Sequence, residues 1–200
     1  KEHKRYGEVG VLKDGKRIQI NTSIIQIENE YYSSIRPKRV TPPGERPINI
    51  LRNEGIDYVE IRALDNNSFL PSGIDEDTSY FLEAYLIGCF FGEDKKSTKE
   101  EIKELLMNWE NVVKEGRNPD LKLLKDKEKV TIKDSGMKVI DSLRNIFHQM
   151  PPEMGEYVKK VMKSLDRQEE KLNDASLTPS GLIVDELKNS NKTWEELNLE

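Results

Sequence analysis

Between Gly55 and Asp65 polar and apolar residues alternate. Ile56, Tyr58, Glu60, Arg62 and Leu64 share one face of an extended strand, and Val59, Ile61 and Ala63 share the other. Upstream, Val9 to Leu12 and Arg17 to Ile20 flank Lys13-Asp14-Gly15-Lys16, where Asp-Gly supplies the positive φ angles of a tight hairpin turn. The segment from Glu8 to Ile20 therefore reads as part of a sheet. Dense β-branched residues carry strand character on through Ile24, Ile25 and Ile27. Pro42-Pro43-Gly44 marks a projecting loop. The first 65 residues read as β-rich.

From Asp75 the period becomes helical. Asp75, Glu76 and Asp77 place negative charge at a helix start, Phe81, Leu82, Tyr85, Leu86 and Cys89 recur at helical spacing, and Gly92 ends the run. Ser97 with Glu100 reads as a capping box. It is followed by a stripe of Ile102, Leu105, Leu106, Trp109, Val112 and Val113 that stops at Gly116, and Trp109 on that stripe is expected in the core. Further helices are predicted over 134–149, 153–173 and 179–189, broken at Pro151-Pro152, the last with Thr178 as cap and Pro179 at its first position. The charged tracts at 122–129 and 163–171 read as solvated faces or loops. The chain is therefore expected to be α+β, with a β-rich part over 1–74 and a helical region over 75–200 packed on it.

Composition narrows the function. Of 200 residues 34% are charged, yet the net charge is only -5, so the basic footprint of a nucleic-acid binder is missing. The one cysteine, Cys89, lies in an apolar run, which argues against disulfides or a cysteine zinc site and fits a reducing compartment; a buried thiol there would be a poor nucleophile. Two histidines, His3 and His148, are too few for a multi-histidine centre, and His148 is expected near a helix end. The longest apolar run, 80–91, contains Glu83 and is too short to span a bilayer, so the chain is expected to be cytoplasmic with no membrane partner. A start at Lys1 that already reads as sheet suggests a piece of a longer protein.

The candidate chemistry sits on the alternating strand. A carboxylate ligates Mg²⁺ well, and a planar guanidinium binds a phosphoryl group through parallel hydrogen bonds, so Glu60 and Arg62 on one face suit a metal-bound phosphate. An ordinary ion pair on a solvated strand has the same spacing. The junction running from Glu28-Asn29-Glu30-Tyr31-Tyr32 to Arg36-Pro37-Lys38-Arg39 gathers acidic, aromatic and basic groups where a sheet would hold a loop, as binding sites do.

Three motifs, Gln19 to Tyr32, Ile35-Arg36-Pro37-Lys38-Arg39 and Tyr58-Val59-Glu60-Ile61-Arg62-Ala63-Leu64-Asp65, together resemble the C-terminal half of bacterial glutamate-cysteine ligase (γ-glutamylcysteine synthetase). The resemblance implies part of a glutamine-synthetase-like antiparallel sheet followed by a helical C-terminal region. It implies an ATP- and Mg²⁺-dependent joining of the γ-carboxylate of glutamate to the amine of cysteine through an acyl phosphate, the first step of glutathione synthesis. By the same resemblance Glu60 matches a Mg²⁺ ligand, Arg62 the catalytic arginine that contacts the transferring phosphate, and Tyr32 a tyrosine of the cysteine site. Arg36, Lys38 and Arg39 receive no individual roles. Asn67-Ser68-Phe69-Leu70-Pro71 departs from the family's Asn-Pro-Phe-Ser-Pro, which implies a looser turn. The family's N-terminal half, which carries most metal ligands, is the implied partner, and the 200-residue chain alone is expected to be inactive. The competing readings are a non-catalytic module of the same fold that binds a protein, and a carboxylate-amine ligase with another amine acceptor.

Overall fold

The computed structural model describes residues 2–27, 32–93, 95–190 and 192–197. The chain forms two compact units, 1–64 and 65–200. Each mixes helices with two-stranded antiparallel sheets, giving an α+β molecule.

The first unit opens with helix α1 (Lys4–Val9), so Glu8 and Val9 are helical rather than sheet. The expected hairpin follows but is short: strand β1 (Leu12–Lys13) pairs with β2 (Lys16–Arg17). Asp14 and Gly15 both take positive φ, 51° and 73°, as the turn requires. The strand expected through Ile24, Ile25 and Ile27 does not form. Its only pairing among the described residues is a single Glu2–Ser23 bridge, while the Gln19 and Asn21 amides hold the segment in a loop by bonding to backbone carbonyls.

Strand β3 (Ile35–Lys38) pairs antiparallel with β4 (Tyr58–Ile61) in the register Ile35–Ile61, Arg36–Glu60, Pro37–Val59 and Lys38–Tyr58. The connection contains an unexpected helix, α2 (Pro47–Glu54). Pro47 begins it, where a missing N–H is harmless, and Gly55 ends it at φ 84° with its N–H on the Leu51 carbonyl, 3.0 Å. Arg39 fastens this helix to the ribbon. Its guanidinium donates to the Glu54 carbonyl (3.0 Å) and carboxylate (3.1 Å) and pairs with Asp57 (2.8 Å).

In the second unit, the segment after Leu64 is closed rather than loose. Asn67 N donates to Gly73 O (2.9 Å), Gly73 N to Leu70 O (3.0 Å), and Phe69 N to the Asn67 side chain (3.1 Å). Helix α3 (Glu76–Phe91) starts where Asp75 accepts from Thr78 N (2.7 Å) and stops at Gly92, as the sequence predicts. Its buried face is rotated from the expected stripe. Ala84 is fully buried, and Tyr80, Phe81 and Ile87 pack beside it, while Tyr85, Leu86 and Cys89 face outward, so Cys89 is exposed rather than buried. Apolar residues are spread around most of this helix, and the small residues Ala84 and Gly88 decide which side can approach a neighbour.

That neighbour is α5 (Ile132–Phe147), capped by Thr131, with His148 at its C-terminal end. Together with α6 (Gly155–Asn173) it completes a three-helix core of Ala84, Ile140, Leu143, Phe147, Val161 and Leu165. Ser164 on α6 donates to the Asp77 carbonyl (2.5 Å), while Lys160 pairs with Glu76 (2.8 Å), tying α6 to the start of α3. Helix α7 (Pro179–Ser190) begins as expected, with Thr178 Oγ1 accepting from Gly181 N (3.1 Å), and a short α8 (Trp194–Leu197) follows.

Helix α4 (Lys99–Glu115) has its capping box one residue later than expected: Thr98 and Glu101 exchange bonds of 3.1 and 2.6 Å. The charged tract at 122–129 is the solvated face of a hairpin, β5 (Lys122–Lys125) with β6 (Glu128–Thr131), turned by Asp126 and Lys127, both at positive φ. Helix α4 rests on this hairpin through polar groups. Asn108 exchanges bonds with the Leu124 backbone (2.6 and 2.7 Å), and Glu104 accepts from Lys127 N (3.1 Å). The apolar stripe faces solvent instead, with Trp109 49% exposed, so Trp109 is not a core residue. Among the described residues no helix is long and apolar enough to cross a membrane.

Candidate functional site

The β3–β4 ribbon builds the site. Directly paired residues point to the same side of a ribbon, so Arg36 with Glu60 and Lys38 with Tyr58 share a face, and Arg62 continues it two residues beyond Glu60. Arg62 lies past the last strand residue, yet its N–H donates to Ser34 O (2.7 Å), which extends the ladder and keeps its side chain on that face. Pro37, which has no N–H to donate, is tolerated in a ribbon of only two strands.

Glu60 is the hub. Arg62 Nη2 donates to Glu60 Oε1 at 2.8 Å, and Lys38 Nζ lies 3.4 Å from Oε2. The Arg62 hydrogen bond holds the Glu60 carboxyl below the usual carboxylate range, so it is ionised at neutral pH, and Glu60 in turn raises Arg62 above the ordinary arginine value. Oε2 is screened from solvent, and among the described residues its neighbour is the Lys38 ammonium. The Arg62 guanidinium also sits 5.3 Å over the Tyr32 ring.

The fold thus brings Tyr32, Glu60 and Arg62 together. It adds Lys38, whose place beside Glu60 depends on cross-strand register and is invisible in either strand alone. Arg39, in the same motif as Lys38, is occupied by Glu54 and Asp57 and serves the fold. Glu28, Asn29, Glu30 and Tyr31 lie outside the described residues.

The cluster presents one carboxylate between two cations on this side, with Arg36 opposite. Such a face suits an oxyanion: a phosphoryl group or carboxylate can displace Glu60 from Arg62 and gain the planar guanidinium. It does not hold a divalent cation by itself. Mg²⁺ needs several oxygen ligands, and no group of three His, Cys, Asp or Glu able to bind a metal occurs among the described residues. Among the described residues of this cluster, Glu60 is the one carboxylate ligand.

Comparison with known proteins places this geometry in context. The family model described as glutamate-cysteine ligase matches residues 1–112. The Pseudomonas putida (strain KT2440) glutamate–cysteine ligase is 40% identical over 194 residues, covering 97% of this chain and 37% of its own length. The Pseudomonas fluorescens (strain Pf0-1) enzyme of that name is 44% identical over 179 residues, covering 90% of this chain and 33% of its own. A crystal structure of the Francisella tularensis glutamate–cysteine ligase in complex with AMP superposes with a TM-score of 0.79 at 38% identity, over 94% of this chain and 37% of that one. The chain spans little more than a third of the length of these relatives.

Proposed function

Because the chain belongs to the glutamate-cysteine ligase family, we propose that it forms the C-terminal part of an enzyme that joins the γ-carboxylate of L-glutamate to the amine of L-cysteine at the expense of ATP. The observation that carries this reading is the convergence of Glu60, Arg62, Lys38 and Tyr32 on one ribbon face. A surface freed from ligase chemistry would have no physical need for all of them.

In this reading Arg62 leaves Glu60 and binds the γ-phosphoryl group of ATP as it passes to the glutamate γ-carboxylate. Its two parallel hydrogen bonds hold the group in line and neutralise the charge developing on it. The cysteine amine then attacks the acyl phosphate carbonyl, the C–O bond to phosphate breaks, and phosphate leaves as the amide forms. Tyr32, beside Arg62, orients cysteine. Lys38 keeps Glu60 ionised and in place after Arg62 departs. Mg²⁺ would neutralise the nucleotide phosphates; Glu60 would supply one ligand to it, and the others would come from the rest of the enzyme. The AMP named with the Francisella tularensis structure fits a nucleotide-handling fold.

The test is ADP release by this chain in Mg²⁺, glutamate and cysteine, with and without the unmatched portion of the Pseudomonas putida relative supplied as a separate polypeptide. Turnover only with both polypeptides and both amino acids is expected. Turnover by the chain alone would refute the split site, and a bound but inactive pair would favour a non-catalytic module.

A further inference from the structure

Helix α4 is turned inside out for an isolated fold. Its polar residues Glu104 and Asn108 contact the β5–β6 hairpin. Roughly a third of the way round the helix, Ile102, Leu105, Leu106, Trp109, Val112 and Val113 form a continuous apolar stripe, with Leu106 61% and Val113 69% exposed. Isolated apolar residues on a surface are ordinary, but six in helical register over the length of a 17-residue helix mark an interface.

We infer that the apolar stripe of α4 is the seat of the remaining portion of the ligase polypeptide, the part of the relatives that this chain does not match. Three observations select this occupant. The Francisella tularensis ligase contains the same fold, with a TM-score of 0.79, as 37% of its chain, so the fold exists there beside a much larger body of protein. The helix carries five glutamates against three lysines, Lys99, Lys103 and Lys114, a balance that anionic lipid surfaces repel. The stripe is also long, narrow and flanked by charge, the form that a packed helix face takes in a core rather than that of a small-molecule cavity. This inference rests on the ligase reading for its partner, but not on the chemistry at Glu60 and Arg62.

The experiment uses the whole 200-residue chain with Trp194→Phe, so that Trp109 is the sole tryptophan. Added to it is the unmatched portion of the Pseudomonas putida ligase with its own tryptophans replaced. Trp109 emission should shift to the blue and saturate. Leu106→Glu combined with Val113→Lys should weaken the association about 30-fold or more, whereas Lys103→Glu, on another face, should leave it unchanged. Circular dichroism of each variant checks that α4 stays helical, as substitutions at exposed positions should allow. Absence of binding by the parent chain, or binding that the stripe variant leaves intact, overturns the inference. So does sedimentation showing that the stripe instead pairs two copies of this chain. If the complex forms through the stripe but releases no ADP, the ligase reading fails and the docking surface stands. If ADP release persists at parent levels with the stripe variant, the docking surface fails and the ligase reading stands.

Discussion

Arg62 and Arg39 are both arginines in ion pairs, yet they do different work. Arg62 shares its carboxylate with Lys38, whereas Arg39 is engaged by two carboxylates and a carbonyl. If Arg62 grips the transferring phosphoryl group as proposed, Arg62→Lys should lower kcat about 10²-fold with a smaller rise in KM, because lysine keeps the charge but loses the planar two-point contact. Glu60→Gln should instead raise the Mg²⁺ and ATP concentrations needed for half-maximal rate. Arg39→Met should lower the melting temperature while leaving KM near the parent value. Steady-state kinetics with a melting curve on each variant separates the three. Of this cluster, Glu60 and Arg62 are legible in sequence because a period of two puts them on one face. Tyr32 and Lys38 are legible only as members of the acidic, aromatic and basic junction from Glu28 to Arg39; nothing local states which residue of β3 will stand beside Glu60.

At the scale of elements, the ends of α3 and α7 were legible, and the buried faces of α3 and α4 were not. Asp75, Gly92, Thr178 and Pro179 are terminators whose local chemistry is sufficient to place α3 and α7. The face of α3 could not be read from periodicity, because contact with α5 is chosen by the absence of side chain at Gly88. A Cβ there would overlap Leu143. Gly88→Ala should therefore destabilise the second unit by about 1–3 kcal/mol, although alanine is the better helix former. Leu143→Ala should cost about 2–5 kcal/mol. The double variant should lose less than the sum, and urea melts of the four proteins give the coupling. The charged tract at 122–129 is a solvated face, as expected, but the strand pairing that carries it was not legible. Its lysines flank Leu123 and Leu124, and the strand face they form exists only once the turn at Asp126 and Lys127 is made. Helix starts also carry a pH dependence. The Thr78 hydrogen bonds hold the Asp75 carboxyl below its ordinary value, so the folded state binds fewer protons than the unfolded one in the acid range. This contribution is complete above the ordinary aspartate value and is lost as pH falls through the lower folded one. Asp75→Asn should reduce the decline in melting temperature toward acid pH, while keeping part of the cap.

For the molecule as a whole, the six buried core hydrophobics all lie between Ala84 and Leu165, within the second unit. Among the described residues of the first unit none is fully buried, and its ribbons have two strands each, a size that is marginal without something to pack on. Amide exchange should accordingly be slowest in α5 and α6 and fast in β1–β2 and β3–β4, and β3–β4 should slow when the rest of the ligase is added. The α+β character and the helical second half followed from local pattern. The weakness of the ribbons did not, because strand propensity does not say how many strands will pair. The solvent-facing stripe of α4 has a thermal consequence. An association driven by covering aliphatic and indole surface carries a negative heat-capacity change and loses its driving force on cooling. The two-piece enzyme should therefore be cold-labile: diluted on ice it should come apart and fall silent, and on rewarming it should recover.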